Sequence, residues 1–155
     1  MKKILAFLLS AVLLFGIAIA DDTYWVMCNP NSFVFVREFP KKNGKEAGYL
    51  YYGDEVVVDG QKRNGYWHIV DGISTESGDG WVKGLYLVDE KPEPAESTLY
   101  CVSSRGRVAL RSGVNGRRIG WLKNGDTVRV YGKTSEWAVT KRGYVKIQYF
   151  DIEGE

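Results

Sequence analysis

The fold is decided by two segments that follow one pattern, Ala47-Gly48-Tyr49-Leu50-Tyr51-Tyr52-Gly53-Asp54 and Ile119-Gly120-Trp121-Leu122-Lys123-Asn124-Gly125-Asp126. Each comes after a shorter alternating motif, Val34-Phe35-Val36-Arg37 in the first case and Val108-Ala109-Leu110-Arg111 in the second. Further matches follow in the same order: Trp67 with Trp137, Gly80-Trp81-Val82 with Gly143-Tyr144-Val145, and Leu85-Tyr86-Leu87 with Gln148-Tyr149-Phe150. A block that recurs in this way predicts two copies of one small domain.

Both copies show the two-residue apolar period of β-strands. The alternating pairs are Val34 and Val36, Val56 and Val58, Val108 and Leu110, and Val128 and Val130. Turn dipeptides separate such runs: Asn43-Gly44, Asp59-Gly60, Asn64-Gly65, Asp71-Gly72, Ser112-Gly113, Asn115-Gly116 and Asn124-Gly125. The pattern predicts an all-β protein with about five short strands per copy, arranged as a small barrel or sandwich.

The first twenty residues have the layout of a cleaved secretory signal peptide. Lys2 and Lys3 precede an apolar run, which ends in Ala18-Ile19-Ala20 before the acidic Asp21. Small residues at the third and first positions before the cut suit signal peptidase. We therefore expect a mature chain that starts at Asp21, is secreted or periplasmic and has no stable membrane insertion. An uncleaved membrane anchor is the alternative.

The remaining chain divides into two repeats and a short connection. We predict a first domain over residues 21–90, a linker over residues 91–96 and a second domain over residues 97–155. The linker prediction rests on charged residues and two prolines without any large apolar side chain, a composition typical of a stiff extended connection. Domains of about sixty residues are marginally stable alone, so we expect the copies to support each other.

The two copies carry opposite formal charges. Residues 21–90 contain seven Lys and Arg against twelve Asp and Glu, a balance of −5, and residues 97–155 contain eleven against five, a balance of +6. This asymmetry could hold the copies together or could present the basic copy to an anionic polymer or membrane surface. Nucleic acid is not expected as a partner of an exported protein.

Two cysteines, Cys28 and Cys101, occupy nearly matching places in the two copies. An oxidising compartment favours a disulfide, and with one cysteine per copy an intrachain bond would cross between the copies. Two buried thiols or an intermolecular pair are the alternatives.

The ordered motifs resemble the bacterial SH3 (SH3b) family, and together they cover nearly all of the mature chain. The second copy is the closer match, with Arg111-Ser112-Gly113 in place, although Val114 stands where the family has proline and Tyr144 where tryptophan is commoner. The resemblance implies two tandem SH3-like small β-barrels. It also implies a binding module that recognises peptidoglycan, wall polymers or protein partners outside the inner membrane.

Aromatic residues are the candidate ligand contacts, since the chain has 5 Trp, 10 Tyr and 6 Phe. If Leu50 and Leu122 face the interior, the preceding Tyr49 and Trp121 face outward. Flat outward rings can stack on sugars or lie against peptides. The full set of candidates is Tyr49, Tyr51, Trp67, Tyr86, Trp121, Trp137 and Tyr149. The alternative is that these rings pack between the copies or close the barrel ends.

The sequence offers little for catalysis. His68 is the only histidine, and it lies in an apparent strand, where we expect a surface or packing role. One histidine and two distant cysteines do not supply a zinc site, so no metal or other cofactor is expected. Arg37 and Arg111 are expected to brace the first loop of each copy, with contact to an anionic ligand as the alternative.

These observations predict a non-enzymatic binding protein whose partner is a cell-envelope polymer or an exported protein. An inhibitor or immunity partner of a cell-wall hydrolase is the main alternative, and a hydrolase of an unrecognised kind is a third. The oligomeric state does not follow from the sequence.

Overall fold

The structure is a computed structural model that describes residues 21–152, so the predicted signal peptide lies outside the described residues. Fourteen strands follow one another without an α-helix in this part of the chain. The first seven strands are β1 Asp22–Val26, β2 Phe33–Arg37, β3 Glu46–Tyr51, β4 Glu55–Arg63, β5 Tyr66–Asp71, β6 Gly80–Lys83 and β7 Leu87–Val88. The next seven are β8 Glu93–Cys101, β9 Arg107–Arg111, β10 Arg118–Lys123, β11 Thr127–Lys133, β12 Trp137–Thr140, β13 Gly143–Lys146 and β14 Phe150–Ile152.

The strands form two seven-stranded antiparallel sheets with one topology. The first sheet has the order β3-β2-β6-β5-β4-β1-β7, and the second has the order β10-β9-β13-β12-β11-β8-β14. Adding seven to each strand number of the first sheet gives the second sheet, and a single 3₁₀ turn precedes the last strand of each, at Gly84–Tyr86 and Ile147–Tyr149. The predicted all-β architecture of two tandem copies is confirmed. We call them the first and second β units.

Each unit has seven strands where the sequence predicted about five. The additional strands are the outer ones, β1 and β7 in the first unit and β8 and β14 in the second. Strand β1 pairs with β4 and with the two-residue strand β7, so it joins both ends of its unit. Its sequence, Asp-Thr-Tyr-Trp-Val, lacks the apolar alternation on which the strand predictions rested.

Alternating side chains from the strands fill one core in each unit. In the first unit Val34, Val36 and Leu50 meet Val56 and Val58, with all five less than 5% exposed. The second core is formed by the corresponding residues, Val108, Leu110, Leu122, Val128 and Val130. Burial of these side chains stabilises each unit by roughly 1.5–3 kcal/mol per residue before chain entropy is counted.

The two units also share a third apolar cluster. Its buried members are Met27 and Val88 from the first unit and Val114, Trp137, Val139 and Tyr144 from the second. Hydrogen bonds cross the same boundary: the Tyr144 hydroxyl donates to the Met27 carbonyl at 2.7 Å, and the Val114 amide donates to the Leu85 carbonyl at 2.8 Å. Burial raises the pKa of Tyr144. The units therefore pack together through apolar contacts and hydrogen bonds.

Most of the segment predicted as an extended linker, residues 91–96, belongs to a strand. Strand β8 begins at Glu93, and its first residues pair with β11 through Glu93 with Lys133 and Pro94 with Gly132. Tyr52 from the first unit reaches this segment, donating its hydroxyl to the Glu93 carbonyl at 2.7 Å. Burial raises the pKa of Tyr52 to about 12.

Within residues 21–152 no helix is long and apolar enough to cross a bilayer.

The predicted disulfide between Cys28 and Cys101 is wrong. Both thiols are free and buried, and each belongs to the core of its own unit. Cys28 donates weakly to the Ser32 carbonyl and Cys101 to the Leu122 carbonyl, each at 3.9 Å. Matching places in a duplicated sequence put the two cysteines at equivalent core positions of separate units, where they pack as small apolar side chains. Burial raises the pKa of Cys28 to about 11.

Candidate functional site

Equivalent hairpins display the outward aromatic residues of the two units. Leu50 and Leu122 are 1% and 0% exposed, whereas the preceding Tyr49 and Trp121 are 50% and 38% exposed. The predicted orientation of these four side chains is confirmed. The hairpins are β2–β3 in the first unit and β9–β10 in the second, and Tyr49 lies across from Phe35 as Trp121 lies across from Ala109.

In the first unit this hairpin carries a patch of four rings, which we call the aromatic patch: Phe33, Phe35, Tyr49 and Tyr51. Two cross-strand pairs build it, Phe33 with Tyr51 and Phe35 with Tyr49. Phe33 meets Phe35 and Tyr49 edge to face, with ring centroids 5.1 and 4.9 Å apart. Such contacts hold rings in fixed positions while leaving area open, and Phe33 and Tyr51 are still 44% and 57% exposed.

A groove of about 390 Å³ runs beside the aromatic patch. We call it the first groove, and its lining residues are Phe33, Val34, Phe35, Arg37, Lys42, Asn43, Tyr66, Lys83 and Tyr86. Strand β2 supplies one wall, while Lys83 and Tyr86 come from the end of β6 and the 3₁₀ turn after it.

The second unit has a groove of about 480 Å³ at the equivalent place, the second groove. Its lining residues are Ser103, Arg105, Arg107, Val108, Ala109, Arg111, Trp121, Lys146 and Tyr149. Six positions match those of the first groove in the repeat: Phe33 with Arg107, Val34 with Val108, Phe35 with Ala109, Arg37 with Arg111, Lys83 with Lys146, and Tyr86 with Tyr149. Duplication has kept the groove and changed its chemistry, from aromatic walls to cationic ones.

The conserved arginine of each repeat braces the loop between its hairpin strands, as predicted. Arg37 donates to the Gly44 carbonyl and Arg111 to the equivalent Gly116 carbonyl, both at 2.9 Å. Arg37 also forms an ion pair with Glu46 at 3.1 Å and lies 4.5 Å over the Phe35 ring. Its charge is therefore locally balanced.

Trp121 lies beneath two guanidinium groups. The Arg107 group is 4.3 Å and the Arg118 group 4.5 Å from its ring centroid. Cation–π attraction to tryptophan offsets part of the rotamer entropy that an arginine side chain loses when it is ordered. The ring that repeat symmetry matches to Tyr49 thus serves as a platform for arginines.

The remaining predicted ligand residues are scattered. Tyr51 belongs to the aromatic patch, and Tyr149, 37% exposed, lines the second groove. Tyr86 is partly buried along the first groove. Trp67 is half-covered, with the Lys62 ammonium 3.7 Å from its ring centroid and the Tyr24 ring 5.0 Å away.

Trp137 is not available as a ligand residue. Only 3% of it is exposed, because it belongs to the apolar cluster between the units. For this ring the alternative considered in the sequence, packing between the copies, is the correct one.

Sequence reasoning missed Phe33, Phe35, Arg107 and Arg118. The first two alternate with the buried Val34, so the period that placed Tyr49 outside would also have placed them outside. Arg107 alternates with Val108 in the same way. Nothing local marks Arg118, since its role depends on the ring of Trp121 three residues later and on the strand opposite.

His68 lies between two carboxylates. Its Nδ1 is 2.8 Å from Asp59 and its Nε2 is 3.5 Å from Asp79, while its ring packs against that of Trp81 with centroids 4.7 Å apart and planes tilted by 42°. Desolvation raises the pKa of Asp59, but hydrogen bonds from His68 and Gln61 outweigh it and lower the pKa overall. No serine, threonine or cysteine side chain in the described part of the chain bonds to His68.

Residues 21–152 contain no cluster of three or more His, Cys, Asp and Glu side chains that could hold a metal ion. A further cavity of about 270 Å³ lies between Glu90, Glu93, Lys133 and Ser135 in the second unit. It has mixed charges and no aromatic wall, so we place the candidate site at the two matched grooves.

The solved structures that resemble this chain share little sequence with it. No protein-family profile matches the chain, and no curated protein matches it. Among solved structures, NlpC2 from Trichomonas vaginalis shares 13% sequence identity at a TM-score of 0.34, with 86% of this chain and 48% of that chain covered. NlpC1 from the same organism shares 12% at a TM-score of 0.35, with 90% and 48% covered. The chain spans about half the length of each, and at TM-scores this low the likeness carries no conclusion about function.

Proposed function

We propose that this protein is an exported, non-enzymatic binding protein with two SH3b-like units, and that its ligand is the peptidoglycan of the cell envelope. The observation that carries the proposal is the aromatic patch beside the first groove. Three of its rings, Phe33, Tyr49 and Tyr51, are 44%, 50% and 57% exposed, and all four lie on one hairpin. Exposed contiguous apolar area of this kind is typical of ligand and protein interaction sites.

The patch suits the alternating sugars and short peptides of the wall. Sugar rings have apolar faces that stack on flat aromatic groups, and the adjoining groove offers Lys42 and Lys83 to peptide carboxylates. Because the rings already contact one another edge to face, little side-chain entropy is lost on binding.

The test is the dissociation constant for purified, insoluble peptidoglycan, measured by depletion from solution at physiological salt. We expect Tyr49→Ala and Phe33→Ala each to weaken binding about tenfold, as for truncation of an interface hot spot. Phe39→Ala is the matched control, because Phe39 is 57% exposed and lies outside the patch. No retention of the wild type, or equal losses in all three variants, would refute the proposal. Trp121→Ala reports whether the second unit contributes.

The aromatic patch also fits the main alternative, an inhibitor of a cell-wall hydrolase. Rings that stay more than two-fifths exposed while holding each other in place are common anchors of protein interfaces. That alternative predicts a tight one-to-one complex with the hydrolase and no affinity for bare wall, so the same depletion measurement separates the two functions.

A further inference from the structure

The charge asymmetry of the two units is not used to hold them together. Among the ion pairs within residues 21–152, none joins the first unit to the second. Apolar packing and hydrogen bonds form the interface instead. The balance of +6 in residues 97–155 is therefore not neutralised by ion pairs with the acidic first unit.

One pair of positions shows where this charge is concentrated. In the first unit Arg37 lies across from Glu46, and the two form an ion pair at 3.1 Å. In the second unit the same positions hold Arg111 and Arg118, which are also directly paired across the strands. Like charges at paired positions destabilise a sheet. Neither arginine has a carboxylate partner among the described residues. A bound anion would turn this repulsion into attraction.

The second groove extends the cationic surface along one strand. Arg107, Ala109 and Arg111 alternate on the outer side of β9, so the Cα atoms of the two arginines are about 13 Å apart along the strand, with a small residue between them. Ala109 leaves open the space that Phe35 fills in the first unit. Arg105 and Lys146 add further cations to the lining, and no acidic residue lines the groove.

Trp121 makes the site ordered. Its ring lies 4.3 Å from the Arg107 guanidinium and 4.5 Å from that of Arg118, which restrains two long side chains before any ligand arrives. Two guanidinium groups already contact the ring, which remains 38% exposed. The site therefore favours ligands recognised by charge, and arginine favours the oxygens of phosphate and sulfate.

We propose that the second groove binds a linear anionic polysaccharide, one that carries phosphate or sulfate groups along its length. The inference rests on the proposed function and deepens it by giving the two units different ligands within one envelope: peptidoglycan at the aromatic patch and a more densely charged anionic chain at the second groove. Several cations that line one groove match a polymer with repeated charges better than a single small anion.

The experiment measures binding of a sulfated dextran oligosaccharide, with neutral dextran of the same length and inorganic phosphate as comparison probes. We expect the sulfated chain to bind at low salt and to weaken steeply as salt rises, since bound counterions are released. Neutral dextran should not bind, and phosphate should bind at least tenfold more weakly than the chain.

The variants are Arg107→Gln and Arg111→Gln, with Arg129→Gln as control. We expect each groove variant to weaken binding about fivefold and the double variant about twentyfold. Arg129 carries the same charge but lies on β11 beside Glu96, at 3.6 Å, so its replacement should change affinity less than twofold. Arg111 braces the loop between β9 and β10, whereas Arg107 contacts the Trp121 ring. Arg107→Gln therefore still tests the proposal if Arg111→Gln disturbs that loop.

Equal losses in Arg107→Gln and Arg129→Gln would overturn the proposal, because they would show attraction to net charge alone. Binding to vesicles of anionic lipid without binding to the soluble oligosaccharide would overturn it in favour of a membrane surface. Retention on peptidoglycan without affinity for the sulfated chain refutes only this inference. Binding of the sulfated chain without retention on peptidoglycan supports this inference and refutes the proposed function.

Discussion

Tyr144 has a different environment from that of its repeat partner. Trp81 at the equivalent position packs its ring against His68 inside the first unit. Tyr144 instead reaches out of its own unit, and its hydroxyl donates to the Met27 carbonyl while both residues are at most 5% exposed. The Tyr144 hydroxyl therefore supplies a hydrogen bond to a buried carbonyl that lies just beyond the end of β1.

Tyr144→Phe removes this hydrogen bond and leaves the Met27 carbonyl buried without it. We expect the free energy of unfolding to fall by about 1–3 kcal/mol, the cost of an unsatisfied buried polar group. Urea denaturation gives the value. Tyr149→Phe is the control, since Tyr149 is 37% exposed and its variant should change stability by less than about 0.5 kcal/mol. Similar values for the two variants would contradict this role.

The partner of Tyr144 lies 117 residues away in the chain, which is why no local pattern could reveal the contact. The sequence could show that tyrosine replaces tryptophan at this position, but the reason lies in the docking of the two units. The same holds for Trp137 and for the unbonded cysteines. Side-chain direction relative to one strand was predictable, whereas contacts between units were not.

At the scale of strands and turns, local patterns carried most of the prediction. The alternating residues Val56 and Val58 are buried, and the turn glycines Gly53, Gly65 and Gly72 have φ values of 83°, 76° and 84°. Gly60, predicted as a turn residue, has a φ of 79° inside strand β4, where the register with β5 shifts. A bulge and a turn can both require a positive φ, which favours glycine, so sequence alone does not distinguish them.

Gly72 and Gly53 allow a matched test of two effects at turns. A Cβ at Gly72 would collide with the Glu55 carbonyl oxygen and come within 2.9 Å of the Val56 Cα, whereas one at Gly53 meets nothing within 4 Å. Both positions carry the strain of a positive φ, about 1–2 kcal/mol for alanine. We expect the free energy of unfolding to fall by only that amount in Gly53→Ala and by clearly more in Gly72→Ala, as measured by thermal denaturation. Equal losses would show that the turn after β5 can shift to admit a side chain.

At the scale of the whole molecule, two glycines let the units approach closely. A Cβ at Gly113 would come within 2.6 Å of the Leu85 carbonyl oxygen, and one at Gly132 would meet the Tyr52 ring. Neither glycine has a positive φ, so backbone conformation does not require them. The interface does, and the aromatic patch and the second groove are consequently held on one packed body.

Trp137 tests whether the two units depend on each other. Its side chain is 3% exposed and contributes the largest ring to the shared cluster, although it starts a strand of the second unit. Each unit alone is near the size at which a single core is barely sufficient, so the shared cluster should make unfolding cooperative. We expect one calorimetric transition for the wild type.

In Trp137→Ala we expect the free energy of unfolding to fall by about 3–5 kcal/mol. We also expect the single transition to separate into two, because the cavity removes the contact that couples the two cores. The transition of the first unit should also move to lower temperature, although the replaced residue belongs to the second. Trp121→Ala, a change of the same size at a 38% exposed ring, should keep a single transition. If Trp137→Ala instead shifts one transition without dividing it, the units are coupled through hydrogen bonds such as that of Tyr144 to Met27, and the shared apolar cluster is not what joins them.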